Sequence, residues 1–405
     1  MKILIFLFFV LLQFYSIAQP WFEKSNFGGE ARHRATSFSI GNHGYIGLGH
    51  INSVIGVEYE DFWKYDPSSD TWTQIANYPE GECFHATSFT IGNIGYVGTG
   101  RLSNGSYSKN FYSYDPSLNT WTQIADLPGV ERRGAVAFSI DGKGYVGTGQ
   151  TFSGYSNDFY EYNPLTDQWI VRASLPGLPR TSSVAFSIGN FGYLGTGDTN
   201  SGSANDFYQF NPVTNQWVVK ASVGIFTRQE ATGFAVNGLG YIGSGDDYSS
   251  GNNYPDMWEY DPILNSWVQI EDFAGTPRRY LTSFVIGSRA YTGTGTSGTN
   301  FKDFWMFDQI LSVLTRKMEH LTINTYPNPA FKTISIDLKE LPEFIHIENV
   351  TCSLFSTTGK LVESTNFESS TCNIDVTTLQ NGQYIYQLNY EGNSFKTGKI
   401  IITNE

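Results

Sequence analysis

A unit of about 50 residues recurs through most of this chain. One copy reads AFSIGNFGYLGTG, then a variable stretch, then NDFYQFNPVTNQWVVKASV. A tyrosine after the first turn recurs at Tyr45, Tyr96, Tyr145, Tyr193, Tyr241 and Tyr291, spaced 48 to 51 residues apart, and a tryptophan recurs at Trp72, Trp121, Trp169, Trp217 and Trp267. A repeat of this length is one supersecondary unit that cannot bury its apolar face alone and must stack on its neighbours. Each copy parses into four short strands divided by Gly, Asn and Asp-Pro turns: SFSI, GYVGTG, DFYEYNP and a last strand opening at the Trp. Four-stranded sheets repeated radially form a propeller, so the expected fold class is all-β, a six-bladed β-propeller.

Six tyrosines against five tryptophans leave one unit incomplete. The distance from each Trp to the Tyr of the next unit is always 24 residues, and Trp21 stands 24 residues before Tyr45. Trp21 is therefore read as the sixth outer-strand Trp. The last unit, SFVIGSRAYTGTG to DFWMFDQ, stops near Gln309 with three strands. The expectation is that the N-terminal strand completes the C-terminal sheet and leaves no edge unpaired.

The 405 residues carry 25 Lys and Arg against 38 Asp and Glu, which argues against nucleic acid as a partner. Gly 42, Tyr 25, Phe 30 and Trp 9 is the usage of short strands and tight turns. Lys2, ten apolar residues from Ile3 to Leu12 and the small residues Ser16 and Ala18 before Gln19 read as a cleaved signal peptide over 1–18. Ten apolar residues fall short of the roughly 20 a spanning helix needs, so no transmembrane segment is expected. Three cysteines are present, and export allows a bridge between Cys352 and Cys372, which leaves Cys83 unpartnered.

The Gly-Tyr pair, the Asp-Phe-Trp/Tyr strand and the following Trp resemble kelch-repeat propellers, including the galactose-oxidase-like ones, over Gln19 to Gln309. Where kelch units usually carry a Gly-Gly pair after the second strand, this chain has GLG, GTG or GSG. All length variation falls between the second and third strands, since the third strand lies a fixed ten residues before each Trp. Variable loops on a rigid scaffold are where binding surfaces usually reside, so that face is nominated. Eleven residues after each Trp stand Arg32, Cys83, Arg132, Arg180, Arg228 and Arg278. Two readings apply to the five arginines. They ring the mouth of the central channel as a ligand site for carboxylate or sulfate, or they bond carbonyls and acids between blades.

Cys83, His85, His33 and His50 are expected on the same face, a thiol and three imidazoles that form a candidate metal site beside the blander reading of a small Cys among solvated histidines. The stretch GDDYSSGNNYPD lacks the spacing of a calcium loop, and no nucleophile motif or phosphate loop stands out, so no catalytic residue is assigned and no cofactor is expected. Galactose oxidase needs a Tyr-Cys crosslink, for which Cys83 is the sole propeller cysteine. Kelch propellers also include a sialic acid mutarotase, whose carboxylate substrate an Arg ring would suit.

After a connector over 310–321, a second β pattern runs over 322–405 and reads as a small sandwich. Its landmarks are Tyr326-Pro327-Asn328-Pro329, Thr358-Gly359-Lys360, the run Leu379, Gly382, Tyr384, and Lys399. Together they resemble the type A sorting domain of type IX secretion. That resemblance implies passage through the outer membrane, the secretion machinery as a partner, and a secreted or cell-surface location. The expected function is an extracellular binding or scaffold module for a carbohydrate or protein, the alternative a sugar-acid-processing enzyme of the mutarotase kind.

Overall fold

The structure is a computed structural model that describes residues 20–51, 56–247, 251–309, 312, 322–339, 346–390 and 393–403. The expected leader and nearly all of the expected connector lie outside these residues. The chain divides into two compact units, one spanning Trp21–Gln309 and one whose described residues, apart from Pro20, lie beyond it. Both are all-β.

In the first unit each repeat folds into one four-stranded antiparallel sheet, a blade. The fourth shows the pattern: Val184–Ile188, Phe191–Gly195, Phe207–Asn211 and Gln216–Lys220, with Phe186 opposite Tyr193 and Phe210 opposite Trp217. Alternate residues of the first strand point inward and are buried, as a period of two requires. The strand Trp21–Lys24 pairs antiparallel with Phe304–Asp308, placing Trp21 opposite Phe307 in a sheet with Arg289–Gly293 and Thr282–Ile286. Trp21 is 5% exposed and packs edge-on to Phe273 at 5.2 Å and tilted to Phe307 at 4.9 Å.

The repeat's conserved spacing becomes seams between blades. The tryptophan of one blade donates its indole N–H to the chain of the blade before it: Trp121 to the Ala76 carbonyl at 3.0 Å, Trp217 to Ala173 at 2.8 Å, Trp72 to Ser25 at 3.1 Å. The turn residue two positions before that Trp takes the N–H of the same partner, as Asn215 does for Ala173 and Asp70 for Ser25. The Gly-Tyr pair serves the seam too, since a Cβ on Gly192 would lie 2.1 Å from the ring of Phe138 in the preceding blade. The last glycine of each GTG-like run donates its N–H into the next blade in all six cases, ending with Gly295 to the carbonyl of Arg32 at 2.9 Å. First strands lie side by side in sequence, and Thr282–Ile286 lies beside Thr36–Ile40. These six strands line a central channel of about 180 Å³ with small and hydroxyl side chains.

In the second unit, Thr322–Tyr326, Thr333–Lys339 and Thr371–Asp375 form one sheet, and Leu361–Asn366, Val350–Ser356, Gly382–Tyr390 and Asn393–Ile402 another. Asn328 accepts from the Ile401 N–H at 2.9 Å, Gly359 and Gly382 have positive φ, and Tyr384 donates to the Gln380 carbonyl at 3.0 Å. Lys360 follows Gly359 in a tight turn, and Lys399 stands opposite Ile385. The peptide bonds before Pro327 and Pro329 are cis. Cys352 and Cys372 correct the expected bridge: both are free, buried thiols on strands of different sheets, and burial raises them to about 12 and about 11.

Candidate functional site

The five repeated arginines are fully buried, at 0% exposure. Arg180 donates to both oxygens of Asp206 at 2.5 and 2.7 Å and to the Thr196 carbonyl at 3.0 Å. Arg228 grips Asp256 the same way, and Arg32, Arg132 and Arg278 grip Asp61, Asp158 and Asp303. Each acid opens the third strand of the blade that its arginine enters. Each buried guanidinium is held by a carboxylate and a carbonyl, so of the two readings the arginines follow the second, bonding acids and carbonyls rather than standing free for a ligand. Blade two drops both halves at once. Cys83 stands where the arginine would be and Asn110 where the aspartate would be, which avoids a lone buried charge.

Two residues after this ring comes another: Arg34, His85, Gly134, Ser182, Glu230 and Tyr280. All six have φ between 54° and 62°. Their backbones form a chain of hydrogen bonds from blade to blade: His85 N–H to Arg34, Gly134 to His85, Ser182 to Gly134, Glu230 to Ser182 and Tyr280 to Glu230, at 2.8 to 3.1 Å. These residues surround the mouth of the channel, a cavity of about 130 Å³. Left-handed backbone is strained for side chains of this size, and such strain gathers at functional sites.

The mouth is electrically divided. Arg34 donates to the hydroxyl of Tyr280, which donates in turn to Glu230. Arg279 reaches Glu230 at 3.1 Å and Asp246 at 3.0 Å. Burial pushes the Glu230 carboxyl up to about 8, more than the attraction of Arg34 and Arg279 offsets, and Asp246 and Asp198 add to the rise. On the other side, Arg34 donates to Nε2 of His50 at 3.0 Å and lies 3.4 Å from Nε2 of His33, whose Nδ1 meets Asn300 at 2.9 Å. Burial, then the neighbouring cations, lowers His33 to about 4, His50 to about 3 and His85 well below the ordinary range. All three are neutral imidazoles near pH 7. Arg133 bonds only the Gln150 side chain, at 2.7 and 2.9 Å, and Arg101 stacks 5.6 Å from the ring of Phe84. Neither has a carboxylate partner among the described residues. Nδ1 of His85 and Nε of Arg34 are buried without a partner.

The four candidate metal ligands do not converge. The rings of His33 and His50 lie 4.2 Å apart with planes tilted by 45° and His85 lines the mouth, but Cys83 is wholly buried in the core, its thiol directed at the Phe84 and Thr99 carbonyls. Arg34 occupies the imidazole nitrogens a metal would need. Among the described residues no three His, Cys, Asp or Glu side chains are grouped to hold a metal ion. Of the residues thirteen positions after each Trp, sequence reasoning singled out His85 alone and missed the other five. The signal was present in reverse: the eleventh position repeats its arginine and serves the scaffold, while the thirteenth never repeats a residue.

Residues 324–403 match the family described as a secretion system C-terminal sorting domain. The solved structure of YjhT is similar to this chain with a TM-score of 0.59 and 18% identity, over 69% of this chain and 95% of that one. No curated protein matches the chain in sequence. The first unit thus shares the fold of YjhT, and residues 324–403 carry a secretion system C-terminal sorting domain, which marks the protein for secretion or the cell surface. No helix among the described residues is long and apolar enough to cross a membrane.

Proposed function

We propose that this exported propeller is an extracellular binding module that takes an acidic sugar at the mouth of its channel. One observation carries this reading: Arg101 and Arg133, with no carboxylate partner among the described residues, stand beside Arg34 on a protein of net charge −13. Burial, then the like charges of Arg34 and Arg101, already lowers the Arg133 guanidinium's pKa, so an incoming carboxylate relieves repulsion as well as forming charge-assisted hydrogen bonds. The test is titration calorimetry of the full mature chain and its Arg133→Ala variant against glucuronic, galacturonic and N-acetylneuraminic acids. Binding to at least one acid, weakened in the variant, supports the reading; equal affinity in both, or none, removes it.

A second reading is a sugar-acid-processing enzyme of the mutarotase kind. It is favoured by Glu230, a buried carboxyl that holds a proton near neutrality beside Tyr280 and so can exchange it with a sugar ring oxygen or hydroxyl. Anomer exchange measured by NMR, accelerated by the protein and lost in Glu230→Gln, would mark catalysis; unaltered exchange leaves binding alone.

The scaffold in this reading is a six-bladed ring over 19–309 whose last blade takes its outer strand from the N-terminus, so that Trp21 holds the ring shut without a covalent link. The mature chain would begin at Gln19, and 310–321 would join the propeller to the sorting domain.

A further inference from the structure

The face carrying the mouth also carries an aromatic surface that neither the fold nor the mouth uses. Phe152 sits at the tip of a short hairpin, Gln150–Thr151 and Gly154–Tyr155, in the variable loop of blade three. It is 71% exposed. Its ring stacks on Tyr107 from the corresponding loop of blade two, with centroids 4.1 Å apart and planes 11° from parallel. The Arg133 guanidinium lies 5.5 Å from the Tyr107 ring, and Gln150, at the foot of the Phe152 hairpin, holds that same guanidinium. Arg133 immediately precedes Gly134, which lines the mouth. A continuous path therefore runs from the mouth through Arg133 and Tyr107 to the open face of Phe152.

We infer that Phe152 and Tyr107 form a second subsite, next to the mouth, for the neutral sugar that follows a terminal acidic one, so that the ligand is the acid-capped end of an oligosaccharide. The inference rests on the acidic-sugar reading above and adds the length of the ligand. The physical reason is the shape and polarity of the two partners. One face of a pyranose presents only C–H groups with slight positive charge, and an aromatic ring presents a flat face of negative charge. An exposed phenylalanine held rigid by stacking offers that face with little ordering left to oppose binding. A loop tip without a ligand role has no need for an aromatic pair bridging two blades, since polar residues serve the turn equally well.

The test compares each acidic monosaccharide with a linear trisaccharide ending in it, for glucuronide, galacturonide and N-acetylneuraminide caps. Calorimetry is run on the full mature chain, Phe152→Ala and Phe152→Trp, with thermal melts of all three. The expected result is that a trisaccharide binds about five- to tenfold tighter than its cap. Phe152→Ala should lose that gain while leaving monosaccharide affinity and the melt unchanged, and Phe152→Trp should keep it. Monosaccharide binding with no gain for the trisaccharide, or a gain that survives Phe152→Ala, overturns the second subsite and leaves the mouth site standing. No binding by any probe overturns both.

Discussion

Tyr280, at the entrance to the sixth blade, donates its phenolic hydrogen bond to Glu230 at the entrance to the fifth. A phenol that also accepts from Arg34 holds the carboxyl in a buried site where its proton is retained to about pH 8. In the unfolded chain the same carboxyl ionises near 4.5. Between those values the folded state binds a proton that the unfolded state has lost, so stability falls as pH rises through this window and levels off above it. His33 and His50 act in the opposite direction. Their folded values lie near 4 and 3 against an ordinary 6.5, so the stability they contribute is present above 6.5 and is lost as pH falls below it. Denaturant midpoints should therefore peak near pH 6.5. In Glu230→Gln the decline between 6.5 and 8 should vanish while the acid limb stays. An unchanged alkaline limb would show that Glu230 does not hold the proton.

Buried and part-exposed arginines should separate cleanly. Arg180→Ala removes a fully buried guanidinium and leaves Asp206, 34% exposed, with Tyr208 as its remaining partner, and we expect a loss of about 2 to 4 kcal/mol in chemical denaturation. Arg133→Ala breaks only contacts with a neutral amide and a ring, and its stability should stay within about 0.5 kcal/mol of the parent. Affinity for an acidic sugar should respond the other way round, falling with Arg133. If both variants lose stability equally, the division into scaffold and site arginines is wrong.

Trp21→Ala removes the indole that packs against Phe273 and Phe307. A loss of about 3 to 5 kcal/mol is expected, as for other large aromatic deletions in a core. A thermal melt unmoved by this change would mean that the N-terminal strand does not hold the ring shut.

Gly295 and Gly298 both have positive φ, at 92° and 103°. A Cβ on Gly295 would stand 2.7 Å from the Arg279 carbonyl, whereas one on Gly298 meets nothing within 4 Å. Gly295→Ala should thus lower the melting temperature more than Gly298→Ala, and the difference measures the close approach where the sixth blade bonds to Arg32. Equal shifts would reduce both positions to backbone strain alone.

Much of the architecture could be read from the chain because a repeat states its own packing rule. In the first five blades the Gly before the Tyr, the Trp ten residues after the third strand opens and the turn Asn or Asp two before it play the same parts; the sixth has Ala290 before its Tyr and takes Trp21 from the N-terminus. Each acts on a neighbour through one contact type, and Trp21 could be placed by counting alone. The sorting landmarks were legible for a similar reason, as turn and strand residues with local roles.

What the sequence determined by itself was therefore the periodic part: strand-rich blades, their number, the incomplete last unit and the export segment. Only the tertiary structure decided what the charges do. Arg180 keeps two readings, ligand site or scaffold, until Asp206, 26 residues away, closes on its buried guanidinium. The mouth carries no motif, because it takes one residue from each of six loops and those six differ. Arg34 and Tyr280 are 246 positions apart and meet only because the ring brings the first blade back to the last. Periodic order survives in one dimension. A site assembled around an axis has no order along the chain to be read.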